Sequence, residues 1–394
     1  MAFISQAPDN ASTRADAMTF LQRLAINFQV LSSIQLLSEF QVLACIPPDE
    51  AISYGDVAEI VGLPEAQLRA VVRLTASVGF LRTPTNDSMA HNSLSFKFVN
   101  DLGVVDAFGF AAETLAPCAL RMAEACRGGD NAYRVAFGAS SDFTTDVQHR
   151  WRMQRQAAAH FRLAKGPSDE DDPECHNLLS QLDWASLADA TVVDVGGKSL
   201  DRAISLASHS PAVSIMVQSD QAASLPPVPA DLASRIHVQA CDPSGAQHFE
   251  DASVYVMQLK SPTLTHPVRA KPLDTIARQL ASHLPILRKN PLTRVVLLAR
   301  VLPDAQDTPS QDSGSITDIS SQSLASYRNL TFSQLTGGRD HERPDIVDIV
   351  TRTRDGEGVL AITNEIRSSK DAGLTAFEIQ YHRLPRDSPG VLPV

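Results

Sequence analysis

Five short apolar runs in the second half of the chain constrain its fold more than any other feature. They are TVVDVGG (191–197), VSIMVQSD (213–220), RIHVQACD (235–242), SVYVMQL (253–259) and RVVLLARVLP (294–303). Each is rich in β-branched residues, and segments of helical pattern separate them. Strands that are apolar on both faces need cover on both faces, which a parallel sheet between two helical layers provides. The pattern predicts an α/β fold with a doubly wound sheet over residues 177–394. The last run, LTAFEIQYHRLP, alternates like closing strands near the sheet edge.

The first 165 residues read differently. Phe20, Leu24, Ile26, Phe28, Leu31, Ile34, Leu37 and Phe40 recur mostly at three- and four-residue steps, the period of a helix with a broad apolar face. Pro47-Pro48 ends that helix. Ile52–Thr83 then carries two short amphipathic helices joined at Gly62-Leu63-Pro64, the second ending at Gly79. Phe80-Leu81-Arg82 and Leu94–Val99 are expected as strands of a small wing, completing a winged helix. Further helices are expected over Val104–Arg127 and Asp146–Leu163. The polar stretch KGPSDEDDPE (165–174) reads as an interdomain loop, and Ala305–Ser323 as a surface insertion.

The charge balance sorts partners. With 34 basic and 45 acidic residues, the net charge is -11. Duplex nucleic acid demands a concentrated basic face, and the sequence has none, so no nucleic-acid partner is expected. The five cysteines show no CxxC spacing, so neither a zinc site nor a disulfide framework is suggested. No basic-then-apolar leader and no apolar run of roughly 20 residues is evident, so the expectation is a cytoplasmic protein without a membrane partner.

Ligands of open α/β sheets settle beyond the carboxyl ends of the strands, where the first strand turns into its helix. Asp194-Val195-Gly196-Gly197 has the required form, although Lys198-Ser199-Leu200-Asp201 stands where a glycine-rich turn normally continues. Together with RIHVQACD ending at Asp242, VLPD (301–304), GGRDHER (337–343) and AGL (372–374), this order of segments resembles the plant and fungal S-adenosylmethionine-dependent O-methyltransferases over nearly the whole chain. The resemblance implies an N-terminal winged-helix dimerisation domain and a C-terminal Rossmann-like domain. It also implies a homodimer intertwined through the first helix. By that likeness Asp194, Gly196 and Gly197 border the methionine part of the cofactor and Asp242 lies near the adenine. The ribose-binding acid falls on Ser219 or, one residue later, Asp220.

Methyl transfer to a hydroxyl needs a base. The family supplies a His-Asp pair after the fourth strand; here Lys260-Ser261-Pro262-Thr263-Leu264 follows it. Lys260, with His266 and Arg269 as further candidates, offers a cation that polarises a carbonyl instead. The pattern is similar to the fungal O-methyltransferase-like pericyclases of pyridone alkaloid pathways. That likeness implies Alder-ene or hetero-Diels–Alder chemistry on a polyketide-derived pyridone, with S-adenosylmethionine as a non-methylating ligand and no metal. By family likeness, Trp151, Met153, Arg155, His160 and Phe161 on one helix and Thr336 on another line the substrate pocket. The plain alternatives are a solvated lysine and ordinary core packing. A pericyclase is the favoured expectation. A genuine O-methyltransferase using His266 and a catalytically inactive gene-cluster regulator remain open.

Overall fold

The computed structural model describes residues 11–138, 140–165, 173–184, 190–242, 245–247, 249–259, 272–302, 321–368 and 373–384. Lys260, His266 and Arg269 lie outside these residues, as do residues 305–320 of the insertion expected over 305–323, whose last three residues are helical.

The elements run α1 (Ala11–Glu39), α2 (Val42–Cys45), β1 (Ile52–Ser53), α3 (Tyr54–Val61), α4 (Glu65–Ser77), β2 (Ser88–Met89), α5 (Ser93–Asn100) and α6 (Leu102–Phe110). A π-helical turn, Ala111–Leu115, leads into α7 (Ala116–Gly128), followed by α8 (Ala132–Phe137), α9 (Phe143–His149), α10 (Trp151–Lys165) and α11 (Pro173–Ser180). The sheet region comprises β3 (Thr191–Val195), α12 (Asp201–His209), β4 (Ser214–Ser219), β5 (Ile236–Ala240), β6 (Val254–Gln258), α13 (Pro272–Lys289) and β7 (Arg294–Arg300). It closes with α14 (Ser321–Thr336), α15 (Arg343–Arg352), β8 (Gly358–Arg367) and β9 (Leu374–Arg383). Two compact units result: the described residues to Arg121 with His149–His160, and Met122–Gln148 with the described residues from Phe161 onward.

In the first unit, Ser53 starts α3 by accepting the Asp56 amide at 3.1 Å. Leu37, Val42, Val57, Leu68, Val72, Phe80 and Leu81 form its core. The wing departs from expectation. Its small sheet pairs β1 with β2 antiparallel, and Arg82 bridges to Ala90. Leu94–Val99 is not a strand; it lies in α5. The aromatic-rich LSFKFV looks like a strand, but Asn92 and Ser95 form a reciprocal capping box that commits the segment to a helix. One continuous helix, Leu102–Gly128, is long and apolar enough to cross a membrane by length and composition alone. It carries Asp106 and Glu113, and 44% of its most apolar window is buried inside the protein.

In the second unit, seven strands stand in the order β5-β4-β3-β6-β7-β9-β8. The first five are mutually parallel, while β9 runs antiparallel to both β7 and β8. The two-residue strand period divides the apolar residues between two cores. Val192, Val254, Val256, Val296 and Leu298 face one way, with Leu206 of α12 and Leu178 of α11. Val193, Tyr255, Leu297 and Phe377 face the other, with Leu280, Leu287 and Val350 of α13 and α15. This is the doubly wound sheet that the apolar runs predict. Within the closing run, β9 is interior and the edge falls to β8. At the opposite edge only a 3-10 turn, Ala222–Ser224, interrupts the β4–β5 connection, and His237–Ala240 are exposed.

His283 sits inside the second core, 1% exposed, edge-on to Tyr255. Its Nδ1 donates to the Gln279 carbonyl at 2.7 Å, and its Nε2 accepts from the Gln247 amide at 3.2 Å. Burial pushes the ring down to about 4, so the folded protein holds it neutral. The unfolded chain takes up the proton near the ordinary value of about 6.5. The stability this ring contributes is therefore complete above that pH, falls on acidification and levels off below about 4. Denaturant unfolding from pH 6.5 to 4 is expected to show roughly 3 kcal/mol more loss in the wild type than in His283→Gln; parallel curves would refute this.

Candidate functional site

The crevice at the carboxyl end of β3 follows from the strand's register. Thr191–Val195 runs parallel between β4 and β6, so Asp194 lies beside Val217 and Val256. Its carboxylate is 3% exposed. Gly196 then turns the chain at φ 75°, a conformation that favours glycine. At Gly197 an added Cβ would stand 3.1 Å from both the Asp194 carboxylate and Val217, a tight contact to which these side chains would have to yield by a few tenths of an ångström. The amides of Gly196 and Gly197 donate to the Gln218 carbonyl at 2.9 and 3.1 Å.

Arg202, one residue into α12, fills the space opposite Asp194. Its Nε donates to Asp194 Oδ2 at 3.1 Å, and its Nη2 makes an ionic contact with Oδ1 at 2.8 Å that lacks hydrogen-bond alignment. Its Nη1 donates to Gln258 Oε1, at the end of β6, at 2.9 Å. The guanidinium is 9% exposed. The sequence reading missed this residue, although a signal was present: Arg202 shares the buried stripe of α12 with Ala203, Leu206 and Ala207, where an arginine needs an internal partner.

The other residues expected at the cofactor divide by depth. Ser219 ends β4 fully buried, and its hydroxyl accepts the Gln221 amide at 3.1 Å. Asp220 and Asp242 are exposed at the ends of their strands. Among the described residues, no three His, Cys, Asp or Glu side chains gather as a metal site would need.

Of the residues expected to line a substrate pocket, four lie in the first unit. Trp151 is 70% exposed, with the Arg155 guanidinium 5.0 Å from its ring centre. Arg155 also pairs with buried Asp106 at 2.6 Å, a contact that the sequence reading missed across 49 residues. Met153 is half-buried. His160 donates from Nδ1 to the Ala107 carbonyl at 3.1 Å and packs on Phe110; burial lowers its pKa. Phe161 and Thr336 belong to the second unit, both half-buried. The Thr336 hydroxyl donates to the Phe332 carbonyl at 2.8 Å and accepts the Gly338 amide at 3.1 Å, which closes α14.

This architecture defines a protein of the O-methyltransferase fold. The mitomycin 7-O-methyltransferase MmcR superposes with a TM-score of 0.53 at 17% identity, over 95% of this chain and all of that one. LepI, solved in complex with S-adenosylmethionine, gives 0.54 at 14% identity, over 96% and 95% of the two chains. No family model matches the sequence. A transcriptional coactivator of Pseudocercospora fijiensis is 35% identical over 377 residues, 93% of this chain and 99% of that protein. The aflatoxin cluster transcriptional coactivator aflS of Aspergillus parasiticus is 32% identical over 401 residues, 96% of this chain and 87% of that protein. The chain belongs to this aflS-like family of fungal cluster transcriptional coactivators.

That membership corrects the sequence reading. The expected pericyclase, and the enzyme class with it, is overturned, because relatives at this identity across nearly the whole length are coactivators. The regulator held open as an alternative is the reading they favour. The error has a physical origin. Loss of the His-Asp pair fits a changed reaction and a lost one equally, and the residues that follow β6 in its place lie outside the described residues.

Removing the guanidinium of Arg155 strands the Asp106 carboxylate, which is 5% exposed. Because Arg155 is itself half exposed, the expected cost of Arg155→Ala is about 2 kcal/mol. A denaturation double-mutant cycle with Asp106→Asn checks it; additive losses would show that the pair is not coupled.

Proposed function

We propose that this chain is a non-catalytic transcriptional coactivator of a fungal secondary-metabolite gene cluster, acting through protein contacts rather than by reading DNA. The observation that carries this reading is the run of relatives named as cluster coactivators, among them the monodictyphenone cluster coactivator mdpA of Emericella nidulans, 32% identical over 93% of this chain and 85% of that protein. The net charge of -11 supports a protein partner over a phosphate backbone. The segment after β6 contains no His-Asp base pair in the sequence, in keeping with a lost reaction.

Deleting the gene is expected to lower transcripts of the neighbouring biosynthetic genes several-fold, with restoration by the wild-type chain, as measured by quantitative reverse transcription. Unchanged transcripts with build-up of one unconverted intermediate would overturn the proposal.

The working form in this reading is a homodimer. Met18, Phe20, Leu21, Leu24, Ile26 and Phe28 of α1 are between 43% and 57% exposed. A helix apolar around so much of its circumference needs cover. Light scattering is expected to report twice the chain mass for the wild type and a shift toward monomer for Leu21→Glu/Leu24→Glu. A monomeric wild type at micromolar concentration would refute this part.

A further inference from the structure

We infer that Arg202 is the resident cation of the inherited cofactor crevice, and that this crevice does not take up S-adenosylmethionine. The fold family implies that cofactor, so each group the resemblance assigns to it can be compared with what it does here. The methionine end of S-adenosylmethionine brings an ammonium and a sulfonium, both positive, to a crevice whose buried acid is Asp194. That carboxylate is already neutralised by the Arg202 guanidinium, hydrogen-bonded at Oδ2 (3.1 Å) and in ionic contact at Oδ1 (2.8 Å), the latter oxygen accepting no hydrogen bond. A second cation would find the charge matched and would be repelled by the first, and the guanidinium is only 9% exposed, so water screens it little.

The remaining features agree. A ligand carboxylate needs donors at the turn, but the Gly196 and Gly197 amides are both spent on the Gln218 carbonyl. Where a glycine-rich turn would let a ligand approach the backbone, the chain has Lys198-Ser199-Leu200, and Leu200 is 1% exposed within the core. Ribose hydroxyls call for a carboxylate at the end of the second strand. Ser219 stands at that place, fully buried, its hydroxyl engaged by the Gln221 amide, and the carboxylate of Asp220 comes one residue later, exposed beyond the strand end. An added Cβ at Gly197 would crowd Asp194 and Val217, a reason for glycine that involves no ligand. Arg202 thus ties α12 to the ends of β3 and β6 through Asp194 and Gln258. This inference does not depend on the coactivator reading.

Equilibrium dialysis of the full wild-type chain against labelled S-adenosylmethionine, and separately S-adenosylhomocysteine, tests the closed crevice. Retention no greater than for an unrelated protein is expected up to millimolar ligand. Saturable binding of either compound at micromolar concentration would overturn the proposal, whatever the outcome of transcript measurements. Thermal unfolding tests the role of Arg202. Arg202→Gln is expected to lower Tm by several degrees, and adding Asp194→Asn to recover most of that loss, because the stranded charge is then gone. A double variant less stable than the single one would refute the resident-cation role. If Arg202→Gln alone does not fold, a folded double variant supports the role and an unfolded one refutes it.

Discussion

Burial of the central strands on both faces is the constraint from which the rest of the second unit follows. Val192 and Val193 of β3, Val254 and Tyr255 of β6, and Val296 and Leu297 of β7 are each at most 2% exposed, and alternate residues enter opposite cores. Such strands cannot face water, so α12 and α13 must lie on the sheet, and parallel connections carry the chain between adjacent strands. Parallel strands bring their carboxyl ends to one rim. That is why Asp194, Gln258 and Ser219, far apart in sequence, stand together there.

What occupies such a rim decides between catalysis and structure. A reaction requires groups left poised for a ligand. Here three of the groups on view engage the chain itself, through a buried ion pair, a doubly used carbonyl and a serine that caps its own turn. A buried ion pair is weak evidence for added stability, because desolvation offsets much of the attraction, but breaking one partner away is costly. The pair therefore ties α12 to the end of β3, and removing either partner leaves a buried charge.

Legibility of the sequence tracked the range of the interactions. The strands of the sheet were visible because a two-residue period under two-sided burial leaves continuous apolar runs. Residues 358–367 went unread as a strand because Thr363, Asn364 and Glu365 break the pattern at the edge of the sheet. LSFKFV was misread because side-chain capping by Asn92 outweighs β-propensity. The turn after Gly197 was seen to lack glycines, but its compensation, a guanidinium reaching from Arg202 to two strands, is a tertiary fact. Asp106 and Arg155 likewise meet only in the fold. Function was the hardest to read, since a missing base signals equally a new reaction or none, and the family relationship decides between them.

A ligand that binds only the folded state raises the folded population as its concentration rises. A domain whose internal arginine supplies the neutralising charge has no such linkage. With the crevice closed as inferred above, its folded fraction is uncoupled from the metabolic supply of methyl donor.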